Sequence, residues 1–96
     1  MITHTVSFRL VHRAASPEEA AFLADARALA EIPGVQHFSQ KRQVSPKSDH
    51  TFSFSMDFAD QASYDAYNTH PTHVAFVRDR WDVEVADFQE LDFVQL

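Results

Sequence analysis

The chain has no cysteine and only one glycine, Gly34, in 96 residues. The first absence removes disulfide frameworks, thiolate nucleophiles and cysteine-ligated metals, and it fits a reducing compartment. The second removes glycine-rich phosphate-cradling loops and the nucleophile elbow, which need glycines at fixed offsets. Positive charge is also scarce. Eight Lys and Arg stand against 14 Asp and Glu, a net charge of −6, so the molecular field repels phosphate backbones and anionic lipid. Neither nucleic acid nor a membrane surface is expected as a partner. No uninterrupted apolar run reaches about 18 residues. Met1 leads straight into strand-like alternation, so neither a signal peptide nor a membrane span is read, and a cytoplasmic protein is expected.

What the chain does have is apolar and aromatic substance. Hydrophobic residues make up 45% of it and nine are Phe, which excludes disorder and predicts a packed interior. The length predicts one domain spanning residues 1–96. Such a domain buries a smaller fraction of its surface than one of about 150 residues, so self-association would help it.

Thr3 to Leu10 alternates, with Ile2, His4, Val6, Phe8 and Leu10 on one side and Thr3, Thr5, Ser7 and Arg9 on the other, as a half-buried strand does. Ser16-Pro17-Glu18-Glu19 reads as a helix start, with Ser16 capping Glu19, Glu19 reaching back and Pro17 in the first helical position. The helix should run to about Glu31 with Phe22, Ala26 and Leu29 on its apolar stripe, and Ile32-Pro33-Gly34 should end it. Val35 to Val44 reads as a polar edge strand. A second strong alternation places His50, Phe52, Phe54, Met56 and Phe58 on one face of a central strand. Asp60 can cap a helix from Gln61 to about Thr69, which Pro71 must break. In the segment that restarts there, Val74, Val77 and Trp81 share one face, and His73, Phe76 and Arg80 the next. A last strand is placed at about Phe88 to Val94. The order predicts an α+β, ferredoxin-like split βαβ fold: a four-stranded antiparallel sheet with both helices on one face. The opposite face is rich in Thr and Ser and could receive a second sheet.

The stretch with most chemical content is Tyr67-Asn68-Thr69-His70-Pro71-Thr72-His73, followed by Val74-Ala75-Phe76-Val77. A phenol and imidazoles here can share protons near neutral pH. His73 suits a general base if something fixes its tautomer. It equally suits a structural residue that bonds a carbonyl where the helix breaks. Tyr67 lies six residues earlier, on another face of a regular helix, so only the break at Pro71 lets the two converge. His4 sits among apolar neighbours on the buried face, where it should be paired, with the second helix as the expected source of its partner. His70 reads as a cap beside Pro71. With His73 it makes an H-x-x-H spacing, but no carboxylate or cysteine lies at ligand spacing, so no metal and no cofactor is expected. His12, His37 and His50 read as surface residues.

His4 two residues after an aliphatic, Ile32-Pro33 closing a helix, the Phe-rich central strand, Leu91-Asp92-Phe93, and above all Tyr67-x-x-His70-Pro71-x-His73-Val74-x-Phe76 resemble the stress-responsive A/B-barrel (Dabb) family over nearly the whole chain. The resemblance implies a homodimeric α+β barrel with the open sheet faces packed together and a pocket between sheet and helices. In the plant polyketide cyclases of that family, a Tyr and a His of this segment and the His of the first strand line a pocket where a linear tetraketide closes by aldol condensation. Those positions match Tyr67, His73 and His4. A tyrosine that those enzymes draw from the first helix has no counterpart in Ala20-Ala21-Phe22-Leu23.

The expected candidates are therefore His73 and Tyr67 as catalytic groups and His4, Phe22, Phe54 and Phe76 as ligand contacts, with Phe52 a further wall residue. The expected role is binding of a small, largely apolar molecule or a stress-linked structural function. The competing readings are an aldol-type cyclase in which His73 takes a proton and Tyr67 stabilises the oxyanion, and, by fold analogy alone, a barrel monooxygenase.

Overall fold

In the computed structural model, which describes all residues from Met1 to Leu96, the first strand β1 spans Ile2–Leu10 and alternates in burial as its sequence does. Helix α1, Pro17–Ala26, begins as read: the Ser16 hydroxyl accepts the Glu19 N–H at 3.2 Å with Pro17 in the first turn. Glu19 reaches back one residue further than a reciprocal box requires, its Oε1 accepting the N–H of Ala15 at 3.2 Å. A tighter helical turn over Arg27–Glu31 completes the helix. Gly34 follows at φ +92°, a left-handed conformation that side chains disfavour.

Strand β2 is Gln36–Arg42 and β3 is Phe52–Phe58, the latter alternating buried with half-buried along its whole length. Helix α2, Gln61–Thr69, is capped by Asp60, whose Oδ1 accepts the Ser63 N–H at 2.8 Å. Proline cannot donate to a helical ladder, so the chain restarts as α3, Pro71–Phe76. It continues through a wide π turn, Val77–Trp81, and a last turn, Asp82–Glu84. Strand β4 runs Val85–Phe93, starting three residues earlier than the sequence pattern indicates.

The strands form one antiparallel sheet in the order β2-β3-β1-β4, so the two strands with the cleanest alternation lie in the middle. Their inward residues, Val6, Phe8, Phe52, Phe54, Met56 and Phe58, meet Phe22, Ala26, Leu29, Tyr64, Tyr67 and Phe76 in one core. That burial is the main source of stability. Phe8 is its hub, with ring centroids 4.7 Å from Phe54 and 4.9 Å from Trp81.

The face away from the helices is wet and hydroxylic. There Thr3 donates to Asp57 at 2.7 Å, and Ser7 is paired with His50 at 2.8 Å. His50 therefore sits on this face, not in line with Phe52, because the chain has not yet entered β3. With its side chain only 11% exposed it is also less of a surface residue than the sequence suggests. His12 is likewise half-sheltered, Nε2 2.7 Å from Glu84, whereas His37 is exposed. No helix is long and apolar enough to cross a membrane.

Candidate functional site

Between the sheet and the α3 segment lies a cavity of about 150 Å³. Its floor is His4, Val6, Phe54 and Met56 from the two central strands, and its roof is Tyr67, His73, Phe76, Val77 and Trp81. Leu29, Phe88 and, at the solvent edge, the exposed Asp82 complete the wall. The break at Pro71 builds the roof. His70 ends α2 and caps α3, its Nδ1 accepting the N–H of Thr72 at 3.1 Å. This change of direction brings His73 back over Tyr67, with ring centroids 4.4 Å apart despite the six-residue spacing. The π turn then shifts the helical phase, so Phe76, Val77 and Trp81 all line the cavity while Val74 is 47% exposed. Strict helical spacing would have put Val74 with Val77 and Trp81.

Three polar groups converge on this largely apolar space. His73 Nδ1 lies 3.1 Å from the carbonyl oxygen of Asn68. A carbonyl only accepts, so the proton is on Nδ1 and Nε2 is left as a lone pair. Burial holds the His73 pKa below its ordinary 6.5, with the field of His4 acting in the same direction, and the Asn68 hydrogen bond and Glu90 opposing them. His73 is therefore neutral at pH 7. Tyr67 is 2% exposed and makes no side-chain hydrogen bond within the chain, and burial raises its pKa, so it remains a phenol.

His4 is 6% exposed and held by two partners. Its Nδ1 lies 2.6 Å from Asp92 Oδ1 on β4 and 2.9 Å from the Tyr64 hydroxyl on α2. Tyr64 also donates to Asp92, at 2.9 Å to Oδ2 and 3.1 Å to Oδ1, and its ring stacks on Phe58 at 5.0 Å. Burial and then the Asp92 contact raise the Tyr64 pKa, which keeps it a donor.

The structure thus brings His73, Tyr67, His4, Phe54 and Phe76 together around one space. Phe22 is placed differently: it is wholly buried behind Phe76, centroids 5.4 Å apart, and belongs to the core. Phe52 likewise stays off the cavity wall. Asp92 and Tyr64 were not singled out from the sequence, although two signals were there. Asp92 holds an inward position in the alternation of β4, and Tyr64 lies three residues before Tyr67, on the same face of α2. Elsewhere Asp49, His50 and Asp87 lie close enough to share an ion, but Arg9 stands in the same cluster, 3.4 Å from Asp49, and supplies positive charge of its own.

Comparison with known proteins places this geometry. The family model described as the stress responsive A/B barrel domain matches residues 2–95. A search of curated proteins found no match. Among solved structures, a Dabb family protein with a ferredoxin-like fold from Mesorhizobium loti is 59% identical and superposes with a TM-score of 0.98, the match covering 99% of this chain and 96% of that one. A dimeric ferredoxin-like protein of unknown function from Thermobifida fusca is 21% identical at a TM-score of 0.78, with 98% and 90% covered. A hydroxynitrile lyase from Passiflora edulis is 14% identical at 0.83, with 99% and 93% covered, a likeness of fold alone.

Proposed function

This chain belongs to the stress-responsive A/B barrel (Dabb) family, and from that premise we propose that it binds a small, largely apolar molecule in the cavity between sheet and helices. One observation carries the reading: a largely apolar space of about 150 Å³ with a few polar groups on its wall, from His4, His73, Tyr67, the indole of Trp81 and the rim carboxylate of Asp82. Sites for small molecules have this composition, apolar walls with a few placed polar groups. The volume sets the ligand's size. A cavity of about this volume accommodates benzene, so the part of the ligand that it encloses has about six to ten non-hydrogen atoms.

The protein works as a cytoplasmic homodimer in this reading. Several solved relatives are dimeric, and the hydroxyl-rich face carries Leu91 and Phe93, about half exposed, on its β4 edge. A second copy laid on that face would cover them.

A second reading is favoured by the state of His73. A neutral imidazole, its tautomer set by Asn68 and its ring against an unpaired phenol, is equipped as a base beside an oxyanion donor. The reaction would be enolisation of a small carbonyl compound, a shorter relative of polyketide cyclisation. His73 would remove an α-proton, leaving the electron pair in an enolate whose oxygen accepts from Tyr67.

Calorimetric or NMR titration with benzene-sized probes tests binding. Dissociation constants on the order of 0.1–1 mM are expected for ligands of this size. Val77→Phe should abolish binding by filling the space without touching a polar group. Equal binding by this variant would refute the assignment. Catalysed α-deuterium exchange of a small ketone, absent in His73→Gln, would establish the enzyme. Identical exchange rates in both proteins would exclude it.

A further inference from the structure

Three of the side chains that face the cavity, His4, His73 and Asp82, offer acceptors to it. His73 spends its N–H on Asn68 and leaves Nε2 bare. His4 likewise directs an N–H at Asp92: a carboxylate can only accept, so at a separation of 2.6 Å the proton is on Nδ1, and in the neutral ring Nε2 is the bare nitrogen. Neither Nε2 has a partner within the chain, both rings line the cavity, and Asp82 adds a third acceptor at the rim. The donors on the wall are the Tyr67 hydroxyl and the indole N–H of Trp81. Asp92 does not line the cavity, yet it decides what His4 offers there.

We infer that Asp92, by holding His4 in the Nδ1–H tautomer, makes the cavity a reader of hydrogen-bond donors, so that its ligand is a small hydroxyl compound, a phenol, alcohol or enol, in preference to a carbonyl. The inference rests on the binding reading above and names its ligand class. A site that presents acceptors rejects a ligand lacking the hydroxyl, because its lone pairs are then buried unmet.

Tyr64 makes the assignment testable. Its hydroxyl donates to Asp92 and lies 2.9 Å from His4 Nδ1. When Asp92 is removed, Nδ1 remains within hydrogen-bond distance of that hydroxyl as an acceptor. In Asp92→Ala, Tyr64 then donates to His4, the ring proton moves to Nε2, and the nitrogen facing the cavity changes from acceptor to donor. In Tyr64→Phe, Asp92 still holds Nδ1–H and nothing flips. The two variants remove members of the same cluster but have opposite effects on the tautomer, which a general loss of packing cannot reproduce. Asp92 is thus a positioning residue that acts through His4.

The experiment is ¹⁵N NMR of the histidine rings at pH 8 in the unliganded protein, followed by titration with phenol and benzaldehyde. The expected result is Nδ1–H at His4 in the parent and in Tyr64→Phe, and Nε2–H in Asp92→Ala. Phenol should bind the parent at least about tenfold more tightly than benzaldehyde, with the ratio falling toward unity in Asp92→Ala. An Nε2–H tautomer or an imidazolium at His4 in the parent would overturn the inference, as would a phenol-to-benzaldehyde ratio that Asp92→Ala leaves unchanged. Failure of both probes to bind the parent would overturn the binding reading and the ligand class with it, and is told apart from a wrong tautomer because the NMR measurement needs no ligand.

Discussion

Met56→Ala enlarges the cavity from its floor and tests whether the space is rigid. Met56 is 2% exposed, lies opposite His4 in the pairing of β3 with β1, and contributes directly to the cavity wall. Loss of Cγ, Sδ and Cε removes roughly 60 Å³ of side chain. That costs about 2 kcal/mol in transfer and, at about 24 cal/mol per Å³ of unrelaxed space, about 1.4 kcal/mol more. The total is about 3.4 kcal/mol. For a chain near 100 residues, at roughly 4 °C per kcal/mol, Tm falls by about 14 °C. Urea denaturation of parent and variant at one protein concentration measures the difference in free energy with the concentration dependence of a dimer held constant. The same variant should bind a two-ring phenol such as 1-naphthol more tightly than the parent does. A loss below about 1 kcal/mol, together with no gain for the larger probe, would mean that the roof collapses onto the floor, and the size argument for the ligand would fail.

Two further predictions concern pH and the backbone. Because burial lowers the His73 pKa in the folded chain, the unfolded chain binds more protons below pH 6.5. Stability contributed by neutral His73 is therefore complete above that pH and declines as pH falls through 6.5 toward the folded value. His73→Gln should flatten this limb of the urea midpoint against pH, and an unchanged limb would assign it elsewhere. Gly34→Ala forces a side chain into φ +92° and brings its Cβ to 3.4 Å from Ser63 Cβ, so it should cost about 1–2 kcal/mol by urea denaturation. A neutral result would mean that the turn after α1 re-forms with negative φ.

Much of this molecule is readable locally. Ser16, Pro17, Asp60 and Pro71 fix the ends of the helices because caps and prolines act through the few residues next to them. The two central strands declare themselves by period-two alternation, since both have one face in the core. The convergence of Tyr67 on His73 was also within reach, because Pro71 lies between them. Beyond that, the sequence is silent for identifiable reasons. The pairing of His4 with Asp92 depends on strand register across 88 residues, which no local pattern encodes. Strand β4 is exposed along most of its length, so its early start at Val85 leaves no burial period to read. The π turn displaces Val74 from the cavity, because a one-residue change of phase has no compositional mark. Phe22 and Phe54 carry the same side chain and are both buried, and only their position relative to the cavity puts one on its wall and the other behind it.

The placement of β1 between β3 and β4 has a consequence for synthesis on the ribosome. Strand β3 can pair with β1 midway through translation, but the other edge of β1, with His4 upon it, stays bare until β4 has cleared the exit tunnel. Until then His4 lacks its carboxylate and the cavity lacks the wall that Phe88 supplies. For as long as β4 is missing, the open edge of β1 is the surface on which a neighbouring chain could pair wrongly.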